Sequence, residues 1–377
     1  MRPVAIAGVA EAGVGSAPPG STPAGLMAEA ARAALAEAGL ELSDVDGVLA
    51  ATTQLPMAPL NLSEALGLQP RFLDGTQIGG SSAIAHLRHA AAAIEAGLCS
   101  VALIAYGSTQ RLVGRATASV QELDPGEAPY RPLMPVTAYA LAASRHMHEF
   151  GTTREQLAEV AVAARAWARL NPDAWSRDPL TVADVLAAPM VCDPLGLRDC
   201  CLVTDGAAAI VVTSAERAAG LRRAPVALLG AGEATTHRHV SHMPDLTRTA
   251  AVQSGAEAFA RAGLRPGDVD VAQVYDAFTI TPVLFLEDLG FCAKGEGGAF
   301  VSGGRIAPGG ALPMNTNGGG LSYAHPGMYG AFLIVEAVRQ LRGECGERQV
   351  PGAEVALVHG NGGVLSSQAT ALLGPAT

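Results

Sequence analysis

The sequence has 377 residues, 49% of them hydrophobic and 16% charged, so it is long enough for about two domains with large aliphatic cores. This composition excludes a disordered protein, and a formal net charge of −10 argues against a general nucleic-acid binder. We expect no membrane span and no signal peptide, and six scattered cysteines without a C-x-x-C pair predict a reducing, cytoplasmic location.

Short apolar segments alternate with Ala-rich amphipathic segments in the order strand, helix, strand, helix, strand. The first strand is predicted at 4–8, and amphipathic helices are predicted at 27–38 and 250–262. Three segments recur in the same order later in the chain. The matches pair 4–8 with 226–230, 36–50 with 260–274, and 101–107 with 355–361. This internal repeat predicts a duplicated βαβαβ unit.

The duplication predicts the domain organisation. Alternating strands and helices favour mostly parallel sheets covered on both faces, so two stacked halves give a five-layer α/β/α/β/α body. Residues 1–107 and 201–224 are predicted to form the first half, and 225–377 the second. Residues 108–200 depart from the pattern and predict an inserted helical cap domain. The wider spacing of the last matched pair predicts an insertion in the Gly-rich stretch 290–320.

Three further stretches resemble a known family. They are TAYALAASRHMHEFGTTREQLAEVAVAARAWARLNP at 137–172, DVLAAPMVCDPLGLRDCCLVTDGAAAIVV at 184–212, and GGGLSYAHPGMYG at 318–330. Together with the duplicated halves, they resemble the thiolase superfamily. The similarity is to the branch that contains the thiolase domain of sterol carrier protein x and the bacterial lipid-transfer, or steroid aldolase, proteins. It extends over essentially the whole chain.

The sequence departs from this family at its reactive cysteines. The resemblance places the nucleophilic cysteine of a thiolase at Gly80, within one residue, and the second, acid/base cysteine nearest His359. The Asn-containing motif of the family reads YDAF at 275–278, while the histidine of its GHP motif is kept as His325. Acyl-enzyme formation needs a nucleophile, and neither of these two positions holds a cysteine, so we expect no acyl-enzyme to form. The resemblance then implies retro-aldol cleavage of a β-hydroxyacyl-CoA.

Three residues are predicted to be catalytic. His325, in a Gly/Pro-rich turn, is expected to donate a hydrogen bond to the thioester oxygen and stabilise the enolate. Tyr275 and Tyr323 are candidates for moving a proton to or from substrate, with Tyr329 as a competitor that more simply begins the following helix. A phenol with a pKa of about 10 serves as an acid at neutral pH, so we favour protonation of the enolate by tyrosine and leave the base open. Each tyrosine also has a simpler interpretation as a core residue.

Five residues are predicted to contact the substrate. They are Gly79, Gly80, Ser81, His359 and Gly362. The two adjacent glycines, Gly79 and Gly80, are interpreted as space for a bulky, branched β-carbon, although a tight turn also requires glycine. Ser81 and Ser82 are possible replacement nucleophiles, but they lack a visible base partner and are explained as helix-capping residues.

Other reactive side chains are interpreted as structural. A metal site in HRHVSH and a role for the cap histidines are weaker alternatives, and no metal is predicted. The only lysine, Lys294, lies in a polar loop, which disfavours imine chemistry. The histidines of HRHVSH are His237, His239 and His242, and the cap histidines are His146 and His148. The segment RDCCLVTDG adds four residues that are interpreted as structural: Asp199, Cys200, Cys201 and Asp205.

The sequence therefore predicts a thiolase-fold lyase acting on a β-hydroxyacyl-CoA from a steroid or another branched side chain. Coenzyme A enters as part of the substrate, and no covalently bound cofactor is expected. The family resemblance also implies a homodimer and a partner protein with an OB-fold and zinc ribbon, together forming a heterotetramer. The alternatives are an acyltransferase with an unrecognised nucleophile and a non-catalytic carrier of acyl-CoA or lipid.

Overall fold

The computed structural model describes residues 3–114 and 123–376. Its strands are β1 (Val4–Gly15), β2 (Gly47–Ala50), β3 (Phe72–Asp74), β4 (Val101–Ser108), β5 (Met190–Cys192), β6 (Leu195–Gly196), β7 (Asp205–Ser214), β8 (Val226–Thr235), β9 (Val271–Val274), β10 (Ala356–Gly362) and β11 (Ser367–Pro375). Its helices are α1 (Pro23–Ala38), α2 (Ala58–Leu66), α3 (Ser82–Glu95), α4 (Gln110–Val113), α5 (Val136–Phe150), α6 (Arg154–Arg169), α7 (Val182–Leu186), α8 (Ala215–Ala218), α9 (Ala251–Ala262), α10 (Ile280–Asp288), α11 (Gly297–Val301) and α12 (Gly330–Leu341).

The large sheet is made of two half-sheets. Its strand order is β3-β2-β4-β7-β1-β8-β11-β10-β9, so the first five strands come from one half of the chain and the other four from the second. Within the sheet, the half-sheets pair where β1 meets β8, through the pairs Ala5–Ala227 and Ile6–Val226. The same element order occurs on both sides of this junction, which confirms the predicted duplication.

The expectation of mostly parallel sheets is wrong. The closing strand of each half, β7 or β11, lies between two other strands and runs antiparallel to both. Parallel pairing within the described sheet is confined to β2 with β3, β2 with β4, and β9 with β10. The physical reason is visible in the second half, where β11 follows β10 after a tight turn and no crossover helix separates them.

Helices cover the half-sheets in layers. Helices α1 and α9 pack on the outer faces, while α3 and α12 contact strands of both halves and lie between them. This arrangement confirms the five-layer architecture. Equivalent glycines lie where these helices cross β1 and β8, because a Cβ on Gly8 would overlap the Ala34 carbonyl oxygen and one on Gly230 would overlap the Ala258 carbonyl oxygen. Both repeats therefore need glycine where an Ala-rich helix crosses the first strand.

The predicted cap contains α5, α6, α7 and a two-stranded ribbon of β5 and β6. Its residues 115–122 lie outside the described residues. Helices α5 and α6 pack against α10 and α11 of the second half. Thr153 begins α6 through a capping box with Gln156, which fixes the bend between α5 and α6. The segment between β9 and α12, including 290–320, is longer than its counterpart between β2 and α3. Within the described ranges, no helix is both long and apolar enough to cross a bilayer.

Candidate active site

A cavity of about 550 Å³ opens where the cap meets the ends of the strands. Its floor includes the buried side chains of Tyr139, Tyr275 and His325. Its mouth includes the exposed residues Gln77 and Arg238. This size suits a ligand of ordinary organic dimensions, with a largely apolar wall and a few converging polar groups.

Tyr275 and His325 form a hydrogen-bonded pair at the floor of the cavity. The Tyr275 hydroxyl lies 3.0 Å from Nε2 of His325, and the backbone N–H of Tyr329 donates to the same hydroxyl at 3.1 Å. Tyr275 follows β9 directly, whereas His325 lies in the turn before α12. The Thr204 hydroxyl accepts from the His325 backbone N–H at 3.0 Å, and the Tyr106 hydroxyl donates to the Pro326 carbonyl. These bonds hold the histidine turn against the tyrosine.

Burial keeps both partners of this pair uncharged at neutral pH. It lowers the pKa of His325 to about 4 and raises the pKa of Tyr275 well above its ordinary value. A neutral imidazole has one ring nitrogen free to accept a hydrogen bond. The phenol oxygen of Tyr275 accepts from the Tyr329 N–H, and its O–H faces two acceptors, His325 Nε2 at 3.0 Å and the Gly327 carbonyl oxygen at 3.4 Å. His325 Nε2 is the nearer of these two acceptors, so the Tyr275 O–H is placed to donate a hydrogen bond to a neutral histidine.

The ring of Tyr275 fills the space beside Gly80. A Cβ on Gly80 would overlap Cε2 of Tyr275 and lie 2.6 Å from its Cζ. The hypothesis that the glycines leave room for a bulky β-carbon is therefore wrong at Gly80, because an aromatic ring occupies that volume. Gly79 lines the cavity, and its φ of 75° requires glycine at this turn.

Tyr323 is not brought to the cavity, which corrects its predicted place beside His325. Its buried hydroxyl faces Glu11 on β1, and the Glu11 carboxylate also pairs with Arg339 at 2.6 Å. A single π-helical turn, Gly319–Tyr323, sends the Tyr323 side chain away from that of His325. Tyr329 supplies its backbone N–H to Tyr275, while its hydroxyl donates to Asn317 Oδ1 at 2.9 Å.

The predicted substrate-contacting residues divide into two groups. Gly79, Gly80 and Gly362 line the cavity. Ser81 lies beneath it, with its hydroxyl 2.9 Å from the Ile78 carbonyl and 3.0 Å from the Ser367 hydroxyl. His359 also lies behind the wall, which corrects its predicted contact with substrate. Its ring is fully buried and bonds to Thr370 and Gln368 of the neighbouring strand β11.

The cavity lining also includes residues that the sequence analysis did not assign to the site, among them Tyr139, Cys201 and Asn361. Asn361 lies two residues after His359 in β10 and therefore on the same strand face, so strand alternation could have indicated Asn361 once His359 was a candidate. Tyr139 comes from the cap helix α5, and no local pattern indicates that it meets β10. Burial raises the pKa of the Cys201 thiol, so it is held as a poor nucleophile.

Asp276, in the YDAF motif, has a structural role. Its carboxylate accepts from the backbone N–H of Gly320 at 2.6 Å and of Leu321 at 3.3 Å. It thereby fixes the turn that precedes His325. Burial raises the pKa of Asp276 to about 7 despite these two donors.

The remaining candidate side chains have partners away from the Tyr275–His325 pair. His237 lies at the wall, where Nε2 contacts the Val364 carbonyl oxygen at 2.9 Å. His146 is buried against Glu287 at 3.0 Å, and Lys294 pairs with Glu287 and Asp288 at 2.9 and 2.8 Å. In residues 3–114 and 123–376, no three His, Cys, Asp or Glu side chains are grouped to hold a metal ion.

Comparisons with known proteins agree with this fold. Residues 232–375 match the thiolase C-terminal domain-like family. The chain is 35% identical over 376 residues to an acetyl-CoA acetyltransferase of Methanothermobacter thermautotrophicus, covering 96% of this chain and 97% of the relative. It is 37% identical over 358 residues to 17-hydroxy-3-oxo-4-pregnene-20-carboxyl-CoA lyase of Mycobacterium tuberculosis, covering 90% and 92%.

The solved structure of an Ltp2-ChsH2(DUF35) aldolase superposes with a TM-score of 0.90 at 32% identity, covering 99% of this chain and 98% of that chain. The layered fold and the cap-covered cavity define a thiolase-fold protein. The chain belongs to the thiolase superfamily. Within it, the chain is a member of the sterol carrier protein thiolase-like branch that includes the steroid side-chain aldolases, as the sequence motifs predicted.

Proposed function

We propose that this protein is a carbon–carbon lyase that cleaves a branched β-hydroxyacyl-CoA, such as a steroid side-chain ester, by retro-aldol chemistry. The observation that carries the proposal is the Tyr275–His325 pair, at 3.0 Å, in the position where a side chain on residue 80 would lie. The similar proteins named as a CoA lyase and an aldolase support the same reaction class.

The pair supplies a route for the proton that the reaction must move. Tyr275 takes the proton of the substrate β-hydroxyl while its own proton passes to Nε2 of the neutral His325. The electrons of the O–H bond form the new C=O bond, the Cα–Cβ bond breaks, and its electrons enter the thioester as an enolate. After the ketone or aldehyde leaves, the proton returns through Tyr275 to Cα. The products are a carbonyl compound and a shortened acyl-CoA, and no further reactant is consumed.

Tyr275→Phe tests this assignment. We expect kcat for cleavage to fall by about 10³-fold, because the variant removes the oxygen through which the proton moves. Tyr130→Phe is the matched control, since that side chain is 85% exposed. Cleavage is followed as release of the carbonyl product, and thermal unfolding shows whether the variant is folded. Full turnover by a folded Tyr275→Phe protein would remove Tyr275 from the reaction.

An acyltransferase is the second candidate function, favoured by the similarity to an acetyl-CoA acetyltransferase and by a thiol in the cavity wall. The raised pKa of Cys201 and the absence of a side chain at Gly80 argue against it. Intact-mass measurement after incubation with acyl-CoA separates the two functions. The lyase gives no acyl adduct and consumes no free CoA thiol during turnover, whereas an acyltransferase that uses Cys201 gives an adduct that Cys201→Ala abolishes.

A non-catalytic carrier is the third candidate. A carrier binds acyl-CoA without turnover in the parent protein, and substitution of Tyr275 or His325 changes only its affinity. Product analysis with the parent protein therefore decides between a carrier and either enzyme.

The assembly belongs to the same proposal. We expect a homodimer and a partner with an OB-fold and zinc ribbon in a heterotetramer, acting in the cytoplasm with no covalently bound cofactor. The solved aldolase that pairs Ltp2 with a DUF35 protein supports the partner. Edge strand β3 supports self-association, because Leu73 on this strand is 40% exposed and Met57 and Leu60 of the α2 region are also exposed. Light scattering of the co-purified complex, compared with a Leu73→Asp variant, tests the expected assembly.

A further inference from the structure

Four side chains form a continuous hydrogen-bonded chain from the cavity into the second half-sheet. Nδ2 of Asn361 lies 2.8 Å from the Tyr139 hydroxyl, and Nε2 of Gln368 lies 2.8 Å from Oδ1 of Asn361. Nε2 of His359 lies 3.0 Å from Oε1 of Gln368. None of these four residues is more than 3% exposed, so water does not compete for the bonds.

A backbone carbonyl fixes the direction of this chain. The Tyr139 hydroxyl lies 3.1 Å from the Gly363 carbonyl oxygen, which can only accept, so the single phenol proton points there. Asn361 must then donate to Tyr139 through its amide nitrogen, and Gln368 must donate to Asn361 in the same way. Consequently His359 carries its proton on Nε2.

These contacts leave Tyr139 with one group to offer a ligand. The Asn361 N–H donates to the phenol oxygen, and the backbone N–H of Leu365 also faces it. Leu365 has a φ of 64°, unusual for a residue with a side chain, in the tight turn between β10 and β11 that surrounds the phenol. The phenol oxygen therefore accepts from Asn361, and the O–H is the group that Tyr139 can donate to a ligand. At 3.1 Å, that O–H makes a longer bond to Gly363 than the usual 2.7–2.8 Å.

The ring position of Tyr139 is also fixed. It stacks on Phe278 with the ring centroids 4.4 Å apart, and Phe278 belongs to the same YDAF segment as Tyr275. Tyr139 and Tyr275 both line the cavity. The ring therefore needs no movement, and only the O–H has to turn from Gly363 when charge develops on a nearby oxygen.

We propose that Tyr139 is a further catalytic residue, whose O–H leaves the Gly363 carbonyl and donates a hydrogen bond to the thioester oxygen as the enolate forms. Gln368 acts as a positioning residue, because it keeps Asn361 turned so that Asn361 donates to the phenol oxygen and does not accept the phenol O–H that substrate requires. This inference rests on the proposed lyase function and adds a residue to it. No proton is transferred from Tyr139, since the hydrogen bond alone stabilises the developing charge.

The first test is Tyr139→Phe, with Tyr130→Phe as the matched control. An interaction made in the transition state lowers kcat and leaves KM nearly unchanged. We expect kcat to fall by about 100-fold with KM within about threefold. A second readout, exchange of the α-hydrogens of acetyl-CoA in D₂O, reports enolate formation without C–C cleavage and is expected to slow by a similar factor. A change in KM alone, or unchanged kinetics, overturns the proposal.

The second test reverses the donor and acceptor roles in the hydrogen-bonded chain by changing Gln368, which does not line the cavity. In Gln368→Glu the carboxylate only accepts, so Asn361 must turn and present Oδ1 to Tyr139, which draws the phenol O–H away from substrate. We expect kcat to fall by at least about tenfold, although the Tyr139 hydroxyl is still present. Gln368→Met removes the amide and introduces no charge, so we expect a smaller loss of kcat. This variant still tests the positioning role if the glutamate variant does not fold. Parent kinetics in both folded variants would contradict the positioning role.

The two readouts separate this inference from the proposed function. A parent protein that exchanges the hydrogens of acetyl-CoA but cleaves no β-hydroxyacyl-CoA contradicts the lyase and still tests Tyr139. A parent that cleaves substrate, with Tyr139→Phe unchanged, contradicts only the role of Tyr139. A parent that does neither contradicts both.

Discussion

Tyr275 and Gly80 occupy one site between them: a Cβ on Gly80 would overlap Cε2 of the tyrosine ring and lie 2.6 Å from Cζ. A side chain at position 80 and the observed position of the Tyr275 ring are therefore mutually exclusive. No side chain is present at Gly80, and the volume beside it holds a phenol that is hydrogen-bonded to His325.

Gly80→Ala is expected to be harmful although it adds a single methyl group. The Cβ also lies 2.5 Å from the Asn361 carbonyl oxygen, so the Tyr275 ring must move away from His325. We expect a loss of about 1–3 kcal/mol in the free energy of unfolding and about 100-fold in turnover. Gly267→Ala is the matched control, because a Cβ there meets no atom within 4 Å. Equal behaviour of the two variants would contradict the overlap.

Tyr323→Phe is expected to affect stability rather than catalysis. The hydroxyl faces Glu11 inside the fold, and its loss leaves the Glu11 carboxylate with fewer partners. We expect the free energy of unfolding to fall by about 1–2 kcal/mol and turnover to stay within about threefold of the parent. Chemical denaturation and steady-state kinetics measure the two effects. A large loss of kcat in a stably folded variant would return Tyr323 to the catalytic set.

His89 is expected to make stability depend on pH. It bridges the two halves of the fold, with Nδ1 2.6 Å from Asp74 and Nε2 3.2 Å from Glu233, and these carboxylates raise the pKa of His89 to about 9. Because the pKa of His89 is raised in the folded protein, its ion pairs contribute fully to the free energy of unfolding below the ordinary histidine pKa of about 6.5. This contribution is lost as the pH rises through about 9. We expect a loss of about 1–2 kcal/mol over that interval, after allowance for solvent screening.

Thermal unfolding between pH 6 and pH 10 checks this expectation. His89→Gln should weaken the fall of Tm across the interval, since it removes the group whose charge changes. His148→Gln, at an exposed position on α5, is the matched control and should keep the dependence of the parent. An unchanged slope in His89→Gln would assign the effect to other groups.

His359 is expected to hold one tautomer and to stay neutral. Burial lowers the pKa of His359 to about 3, and the donor direction set at Gly363 requires the proton on Nε2. Nδ1 then accepts from the Thr370 hydroxyl at 2.9 Å. Nitrogen-15 NMR of labelled histidine should show a constant Nε2–H signal from pH 5 to pH 8. A proton on Nδ1, or titration within that range, would contradict the assigned direction.

The sequence by itself determined the repeat and the layered fold class, and it showed no cysteine at the two positions that the family resemblance assigns to the thiolase cysteines. These features are local: the pairing of VAIAG with VALLG, the Ala-rich helices, and glycine at position 80 are visible in short stretches of residues. The sequence also brought forward Tyr275 and His325, because each lies within a short motif of the family. Their placement at one cavity agrees with that expectation, while their catalytic roles stay a prediction.

Only the tertiary structure decided which side chains share the cavity. Tyr323 is two residues from His325, yet a π-helical turn directs it to Glu11 on a distant strand. Tyr139 is far from Asn361 in the chain, yet the cap brings their side chains within 2.8 Å. The volume beside Gly80 is filled by a ring from the other repeat. Such contacts depend on how separate helices and strands pack against each other. Sequence periodicity indicates which face of an element is buried, but it does not indicate which side chains of a distant element that face will contact.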